Sequence, residues 1–222
     1  MAKRIFITGT GTDIGKTYVS ALIVKKMREA GLNCGYYKPV LSGVIEQNGK
    51  LTESDCNYVV NTAKLPVSAD DCVTYWWKEA VSPHLASKRA GQIIETEKIL
   101  SDYKKICSKY DYVLIEGAGG ITCPLRLDNE VYLMKDLIQD LNTSIIIVAD
   151  GGLGTINSTL LTVEYAKKNN IKIKGIILNN FDSENFMHID NLKQTELLTL
   201  IKVIATVSRN GNNIPLMTEY FE

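Results

Sequence analysis

Gly15-Lys16-Thr17 closes a glycine-rich stretch, Gly9-Thr10-Gly11-Thr12-Asp13-Ile14, that follows the apolar run Arg4-Ile5-Phe6-Ile7-Thr8. A helical pattern from Tyr18 to Ala30 comes next. A strand, a glycine-rich turn and a helix opening on Gly-Lys-Thr make a phosphate-binding loop. Its backbone N–H groups and the helix N-terminus present fixed positive ends to a polyphosphate. Lys16 is placed to reach the terminal phosphates and the Thr17 hydroxyl to ligate Mg²⁺. The spacing is a variant, because Gly9 lies six residues before Gly15 and Thr10 stands five before it.

Further candidates stand after later apolar runs. Glu116 ends the run Tyr112-Val113-Leu114-Ile115 and precedes Gly117-Ala118-Gly119-Gly120. A carboxylate there suits Mg²⁺, and the glycines let the backbone approach a ligand. Asp55 offers a second hard oxygen ligand, or equally an N-cap for a short helix. Lys38 stands where a second strand is expected to end, with Ser42 beyond it. Alone it reads as a solvated charge; beside a phosphate loop it reads as a cation for a transferred phosphoryl group. Gly154-Thr155-Ile156-Asn157 opens another helix and serves either ordinary capping or a ligand carboxylate. His84, after Ser82-Pro83, reads either as a substrate contact or as a surface helix start, and His188 as solvated.

These residues need elements to hold them at one edge. Strand and helix patterns alternate: strands at 33–37, 112–115, 144–149, 173–178 and 203–207, with helices at 18–30, 55–62, 95–109, 134–141, 155–169 and 191–200. Residues 41–54 read as a polar loop and 64–81 as irregular. Continuous apolar strands between amphipathic helices indicate an α/β fold, a mostly parallel central sheet with helices on both faces. Ligands of such sheets bind at the C-terminal ends of the strands, where the candidates fall. No repeat, low-complexity stretch or linker divides residues 1–222, so one domain is expected.

Lys plus Arg equal Asp plus Glu at 25 each, which argues against nucleic acid or a membrane surface as partner. No apolar run approaches the ~18 residues of a membrane span. The chain enters its first strand within a few residues, so no signal peptide is expected. Five cysteines without a C-x-x-C pair read as reduced packing thiols of a cytoplasmic protein.

Taken together, the sequence resembles the dethiobiotin synthetase family. The resemblance rests on Thr8 to Thr17, the block Gly35-Tyr36-Tyr37-Lys38-Pro39-Val40-Leu41-Ser42-Gly43, Asp55, Ser82-Pro83-His84, Glu116 to Gly120, Gly154 to Asn157 and Asn179. These occur in the family's order and cover nearly all of the chain up to about residue 180. The resemblance implies a phosphate-loop NTPase-like fold and ATP-dependent closure of 7,8-diaminononanoate with CO₂ (or bicarbonate) to dethiobiotin, ADP and phosphate. A carbamate and a carbamic–phosphoric mixed anhydride are the implied intermediates, with Mg²⁺ as cofactor and a homodimer as the assembly. By position it implies catalytic roles for Thr12, Lys16 and Lys38, and metal ligation by Thr17, Asp55 and Glu116. Nucleotide contacts are implied for Asp13, Ile14, Gly15, Lys16, Thr17, Tyr18, Asp55, Glu116, Gly117, Ala118, Gly119, Asn179, Asn180, Ser208, Arg209 and Asn210. Substrate contacts are implied for Thr12, Lys38, Ser42 and Gly119, and across the dimer for Gly154, Thr155 and Asn157.

The sequence departs from the family pattern in having Asp13 for a common Glu, Asn180 for a frequent Asp, and Ala205 to Ser208 for a Gly-x-Ile/Leu-Pro turn. Two other readings compete. Cobyrinate-type amidating ligases usually carry a glutaminase domain, for which this chain has no room. Nucleotide-switched partitioning or metal-cluster carrier ATPases tend to place a second lysine early in the loop, where Gly11 stands.

Overall fold

A computed structural model of the chain describes residues 2–128 and 130–221. Its frame is a seven-stranded, all-parallel sheet. In chain order the strands are β1 (Lys3–Gly9), β2 (Cys34–Ser42), β5 (Val73–Trp77), β6 (Tyr112–Glu116), β9 (Ile145–Asp150), β10 (Ile173–Asn179) and β11 (Val203–Thr206). They lie side by side as β11-β10-β9-β1-β6-β2-β5. Two antiparallel hairpins stand apart from the sheet, β3 (Ile45–Gln47) with β4 (Lys50–Glu53), and β7 (Pro124–Leu127) with β8 (Val131–Leu133).

Alternation along each strand divides the core in two. Ile5 and Ile7 of β1, Leu114 of β6 and Ile146 and Val148 of β9 face α1 (Lys16–Glu29) and α2 (Asp55–Ala63). Phe6, Ile115 and Ile147 face the opposite layer, built from α3 (Pro83–Ala90), α4 (Thr96–Cys107), α5 (Met134–Asp140), α6 (Thr155–Lys168) and α7 (Phe186–Thr199). Helix α1 sits on the sheet because Val19, Leu22, Ile23 and Met27 recur at helical spacing and are all buried. Each such aliphatic side chain contributes roughly 1.5–3 kcal/mol by leaving water. The two hydrophobic layers clamp β1 at the centre of the sheet. Among the described residues no helix is long and apolar enough to cross a membrane.

Several sequence expectations are corrected. Strand β2 does not close at Lys38-Pro39 but continues to Ser42. Its pairing with β6 ends at Tyr37, and from Lys38 onward only β5 lies alongside, so Pro39 interrupts no ladder on the β6 side. The expected loop at 41–54 contains the β3–β4 hairpin, and the expected irregular stretch at 64–81 contains β5, the sheet's edge. Helix α7 begins at Phe186, five residues before the expected start. Its N-cap is Asn185, whose side chain accepts the Met187 N–H at 3.0 Å. His188 is not merely solvated: it accepts the Asp182 N–H at 3.0 Å and tilts against Phe181.

Topology fixes where a ligand sits. After β1 the chain turns through α1 toward β2 on one side, and after β6 it returns past β1 to β9 on the other. Such a divergence opens a crevice at the C-terminal ends of the strands. There β1 delivers Gly9, β2 delivers Lys38, and β6, in register with Ile7 of β1, delivers Glu116.

Candidate nucleotide and phosphoryl-transfer site

The loop from Thr10 to Gly15 is shaped by backbone geometry that few residues accept. Gly15 has φ 88°, and a Cβ there would lie 2.1 Å from Asn179 Nδ2, so no side chain fits. Asp13 also sits in the left-handed region at φ 58°, which a short acidic side chain tolerates. Gly15 is the N-cap of α1 and no side chain caps that end, which leaves the first-turn N–H groups to an anion. Lys16, almost fully buried, folds back to the Gly11 carbonyl at 2.8 Å. Burial is the largest influence on its ammonium and lowers the pKa to about 8, with the Lys38 charge acting the same way.

Beside the loop lies a buried ionic cluster. Glu116 is 0 % exposed and Lys38 3 %. The Lys38 ammonium bridges Glu116 Oε1 at 2.5 Å and Asp55 Oδ2 at 2.7 Å. Thr17 donates to the same Glu116 Oε1 at 2.7 Å, and the Tyr36 hydroxyl donates to Oε2 at 2.9 Å. Burial pushes the Lys38 pKa down, but Glu116 and Asp55 outweigh it and hold the ammonium above its ordinary range. Burial likewise acts upward on Asp55, and Lys38 overrides it, leaving this carboxyl below its ordinary value. Asp55 is free for this pairing because Ser54, not Asp55, is the N-cap of α2, accepting the Asn57 N–H at 3.2 Å. Burial above all, then Glu116, keeps the Tyr36 phenol protonated far above its ordinary pKa.

The loop and the cluster open into one cleft of about 900 Å³. Of the predicted residues, Thr12, Asp13, Gly15, Lys16, Thr17, Tyr18, Lys38, Ser42, Asp55, Glu116, Ala118 and Gly119 line it together. Ser82 and Pro83, quoted above with His84, also line it, and Tyr58, Ala80 and Val81 form walls that the sequence did not point to. Tyr58 could have been inferred, standing three residues after Asp55 and so one helical turn away on the same side. Its ring lies 6.4 Å from that of Tyr18.

Other predicted residues sit elsewhere. Ile14 and Gly117 act through backbone: the Ile14 carbonyl accepts Asn179 Nδ2 at 2.9 Å, and the Gly117 N–H bonds Ile7 at 3.0 Å. A Cβ on Gly117 would meet the Phe6 ring at 2.8 Å, so this glycine serves close packing. Asn179 is buried beneath the loop, and its Oδ1 has no hydrogen-bond partner among the described residues. Asn180, Ser208 and Arg209 line a separate cavity of about 690 Å³, where Asn180 Nδ2 reaches Asp150 Oδ2 at 2.7 Å. The turn there is closed by Asn210 at φ 60° and by the Gly211 N–H on Ser208 O at 2.8 Å, and Tyr18 tethers it to α1 through the Gly211 carbonyl. Gly154, Thr155 and Asn157 open α6 outside the cleft; Gly154 has φ 90°, and Thr155 is buried with its hydroxyl 3.4 Å from that of Thr159. His84 turns its ring to Ser82 Oγ at 3.0 Å and lines a different pocket from the cleft.

A phosphate loop at the end of a central parallel strand, with an acidic strand end beside it, defines a P-loop NTPase-like protein. Residues 3–213 match the family described as an AAA domain. A ParA family ATPase from Chlorobium tepidum superposes with a TM-score of 0.55 at 16 % identity, covering 94 % of this chain and 85 % of that one. The MinC:MinD cell division complex of Aquifex aeolicus gives 0.55 at 14 % identity, with 93 % and 81 % covered. At these identities the likeness is one of fold.

Sequence relatives are more specific. The chain is 49 % identical over 203 residues to the ATP-dependent dethiobiotin synthetase BioD of Clostridium botulinum strain Eklund 17B, covering 91 % of this chain and 89 % of the relative. It is 47 % identical to the protein of the same name from strain 657, covering 100 % and 99 %. The chain belongs to the ATP-dependent dethiobiotin synthetase family.

Proposed function

We propose that this chain closes a ureido ring on 7,8-diaminononanoate, using CO₂ and ATP and releasing dethiobiotin, ADP and phosphate. The observation that carries this reading is Lys38, an enclosed cation held between Asp55 and Glu116 at the mouth of the phosphate loop. A switch ATPase needs charge around its own phosphates only. A ligase that joins two anions, a carbamate and a γ-phosphate, also needs a cation on the acceptor side of the cleft.

In this reading one substrate amine adds to CO₂ and loses a proton, giving a carbamate. Lys38, Thr12 and Ser42 hold that carbamate in line with the γ-phosphorus. Its oxygen attacks, the bond to the ADP oxygen breaks, and Lys16 offsets the charge on the phosphates. The second amine then attacks the activated carbon, the ring closes, and phosphate leaves with the bridging oxygen. The hard oxygens of Thr17, Asp55 and Glu116 fit Mg²⁺: an ammonium already joins the two carboxylates, so the cluster is built around a cation. When bound there, Mg²⁺ would supply further positive charge to the phosphates. Asn179, buried beneath the loop, would read the edge of adenine, and the Ser208 to Asn210 turn, with Asn180, would flank the base.

If this mechanism holds, ¹⁸O-labelled CO₂ delivers one labelled oxygen to the released phosphate. Unlabelled phosphate formed alongside labelled dethiobiotin would exclude phosphorylation of the carbamate.

The start of α6 is proposed to hold the substrate's tail carboxylate in a second copy of the chain. Support comes from exposed apolar side chains on α6 and on α7, which packs beside it: Leu153 and Leu161 are 93 % and 63 % exposed, and Phe186 at the start of α7 and Leu200 at its C-cap are exposed as well. Leu153→Asp is expected to sediment as a monomer and to raise KM for the diamine about tenfold or more, with ATP affinity unchanged. A dimer with normal KM would contradict the shared site. Residues 1–222 are taken as one catalytic domain, working in a reducing cytoplasm that suits its unpaired thiols.

A further inference from the structure

Glu116 divides its two carboxylate oxygens between different surroundings. Oε1 faces the cleft, where Thr17 and Lys38 meet it at 2.7 and 2.5 Å. Oε2 is met by the Tyr36 hydroxyl at 2.9 Å. Tyr36 is 1 % exposed and packs in the hydrophobic layer beneath α1 and α2, together with Leu114 and Ile7. It stands two residues before Lys38 on β2, so the two side chains leave the same face of the sheet. Tyr36 pairs with Leu114 of β6, two residues before Glu116, and its long side chain reaches that carboxylate from the core side.

A terminal carboxylate torsion is broad and roughly two-fold, so the backbone of β6 does not choose which oxygen faces the cleft. We infer that Tyr36 is a positioning residue for Glu116: its phenol holds Oε2 and so presents Oε1 alone to the metal. This rests on the reading of Glu116 as a ligand of Mg²⁺. Ligating carboxylates are held by outer hydrogen bonds, whose loss typically costs about 10–100-fold in metal affinity or activity. Without the phenol, Oε2 is left buried without its donor and the carboxylate turns toward Lys38 or Thr17.

The test is ADP binding by calorimetry, with and without Mg²⁺, on the wild type, Tyr36→Phe and Glu116→Gln. The ratio of the two affinities isolates the metal's contribution. For Tyr36→Phe the ratio is expected to fall about tenfold or more, while metal-free ADP affinity stays within about twofold of wild type. A purely structural role would lower the melting temperature, or both affinities together, and leave the ratio alone. An unchanged ratio in Tyr36→Phe with a collapsed ratio in Glu116→Gln overturns the inference and spares the metal reading. An unchanged ratio in both overturns the metal reading and the inference with it. If Tyr36→Phe does not fold, the wild type carrying ¹³C-tyrosine answers the question: the Tyr36 Cζ resonance of the ADP complex shifts as Mg²⁺ is added. A resonance blind to the metal contradicts the inference.

Discussion

Lys38→Ala is expected to lower turnover by about 10²–10³-fold while MgATP affinity stays within a few-fold of wild type. The separation follows from placement. Lys38 comes from β2 and lines the cleft, whereas on the proposed reading the phosphates would be cradled by the start of α1 and Lys16. The same substitution removes the ammonium that Asp55 and Glu116 share, leaving them as neighbouring carboxylates with no cation between them. Breaking a buried pair in this way costs about 3–5 kcal/mol, less here for the side of Asp55 that water reaches. The variant is therefore expected to melt lower than wild type and to recover part of the loss on adding Mg²⁺. Calorimetry for nucleotide binding, steady-state turnover and thermal melting check the three parts separately. Unchanged turnover would remove Lys38 from the chemistry.

Lys16→Met should show the reverse pattern. Loss of a charge-assisted contact to phosphate is worth about 3 kcal/mol, so MgATP affinity is expected to fall about 100-fold. Stability should not fall, because the ammonium is buried at a cost: its folded pKa of about 8 lies below the ordinary 10.5. A depressed lysine pKa means the unfolded chain binds more protons between those values, so stability rises with pH from about 8 to 10.5. At neutral pH the charged side chain weighs against folding, and methionine keeps the apolar stem without the charge. Nucleotide phosphates raise the pKa again, so wild-type binding takes up a proton above about pH 8. Affinity is then expected to weaken by up to about tenfold per pH unit above that point, a dependence that Lys16→Met loses. A flat profile in the wild type would mean that Lys16 does not meet the phosphates.

The two lysines illustrate what could be read before the fold was known. The loop, α1 and the acidic end of β6 were legible because each joins a strong period to a distinctive residue: an apolar strand, then Gly-Lys-Thr or Glu-Gly. The sheet's parallel character was legible for the same reason, since Ile145 to Ala149 and the strands beside it are buried on both faces. Strand β5 escaped because an edge strand is covered on one side only. Its Val73, Thr74 and Trp76 are partly exposed and Thr74 interrupts the apolar run, although Val, Thr, Tyr and Trp are all strand formers. Pro39 misled for a related reason: proline ends a central strand, but β2 has lost its β6 neighbour by that residue.

Within the site, residue types were legible and contacts were not. Nothing local to Asp55 chose between a helix cap and a partner for Lys38; Ser54, one residue earlier, takes the cap. Tyr36 was overlooked because it looks like core, which it is, and only its hydroxyl reaches the carboxylate. The signal that could have found it is the strand period, which sets Tyr36 and Lys38 on one face. Asn180 and Arg209 fall in a cavity apart from the phosphate loop because β10 and β11 lie on the far side of β9 from the cluster.

ATP cleavage is expected to be coupled to ring closure on a diamine. It is tested most directly by mixing the protein with 7,8-diaminononanoate, bicarbonate and MgATP and following ADP and the ureido product by mass. The expected result is one ADP for each dethiobiotin formed and little ADP without the diamine. ADP release at the same rate whether or not the diamine is present, with no ureido product, would contradict it.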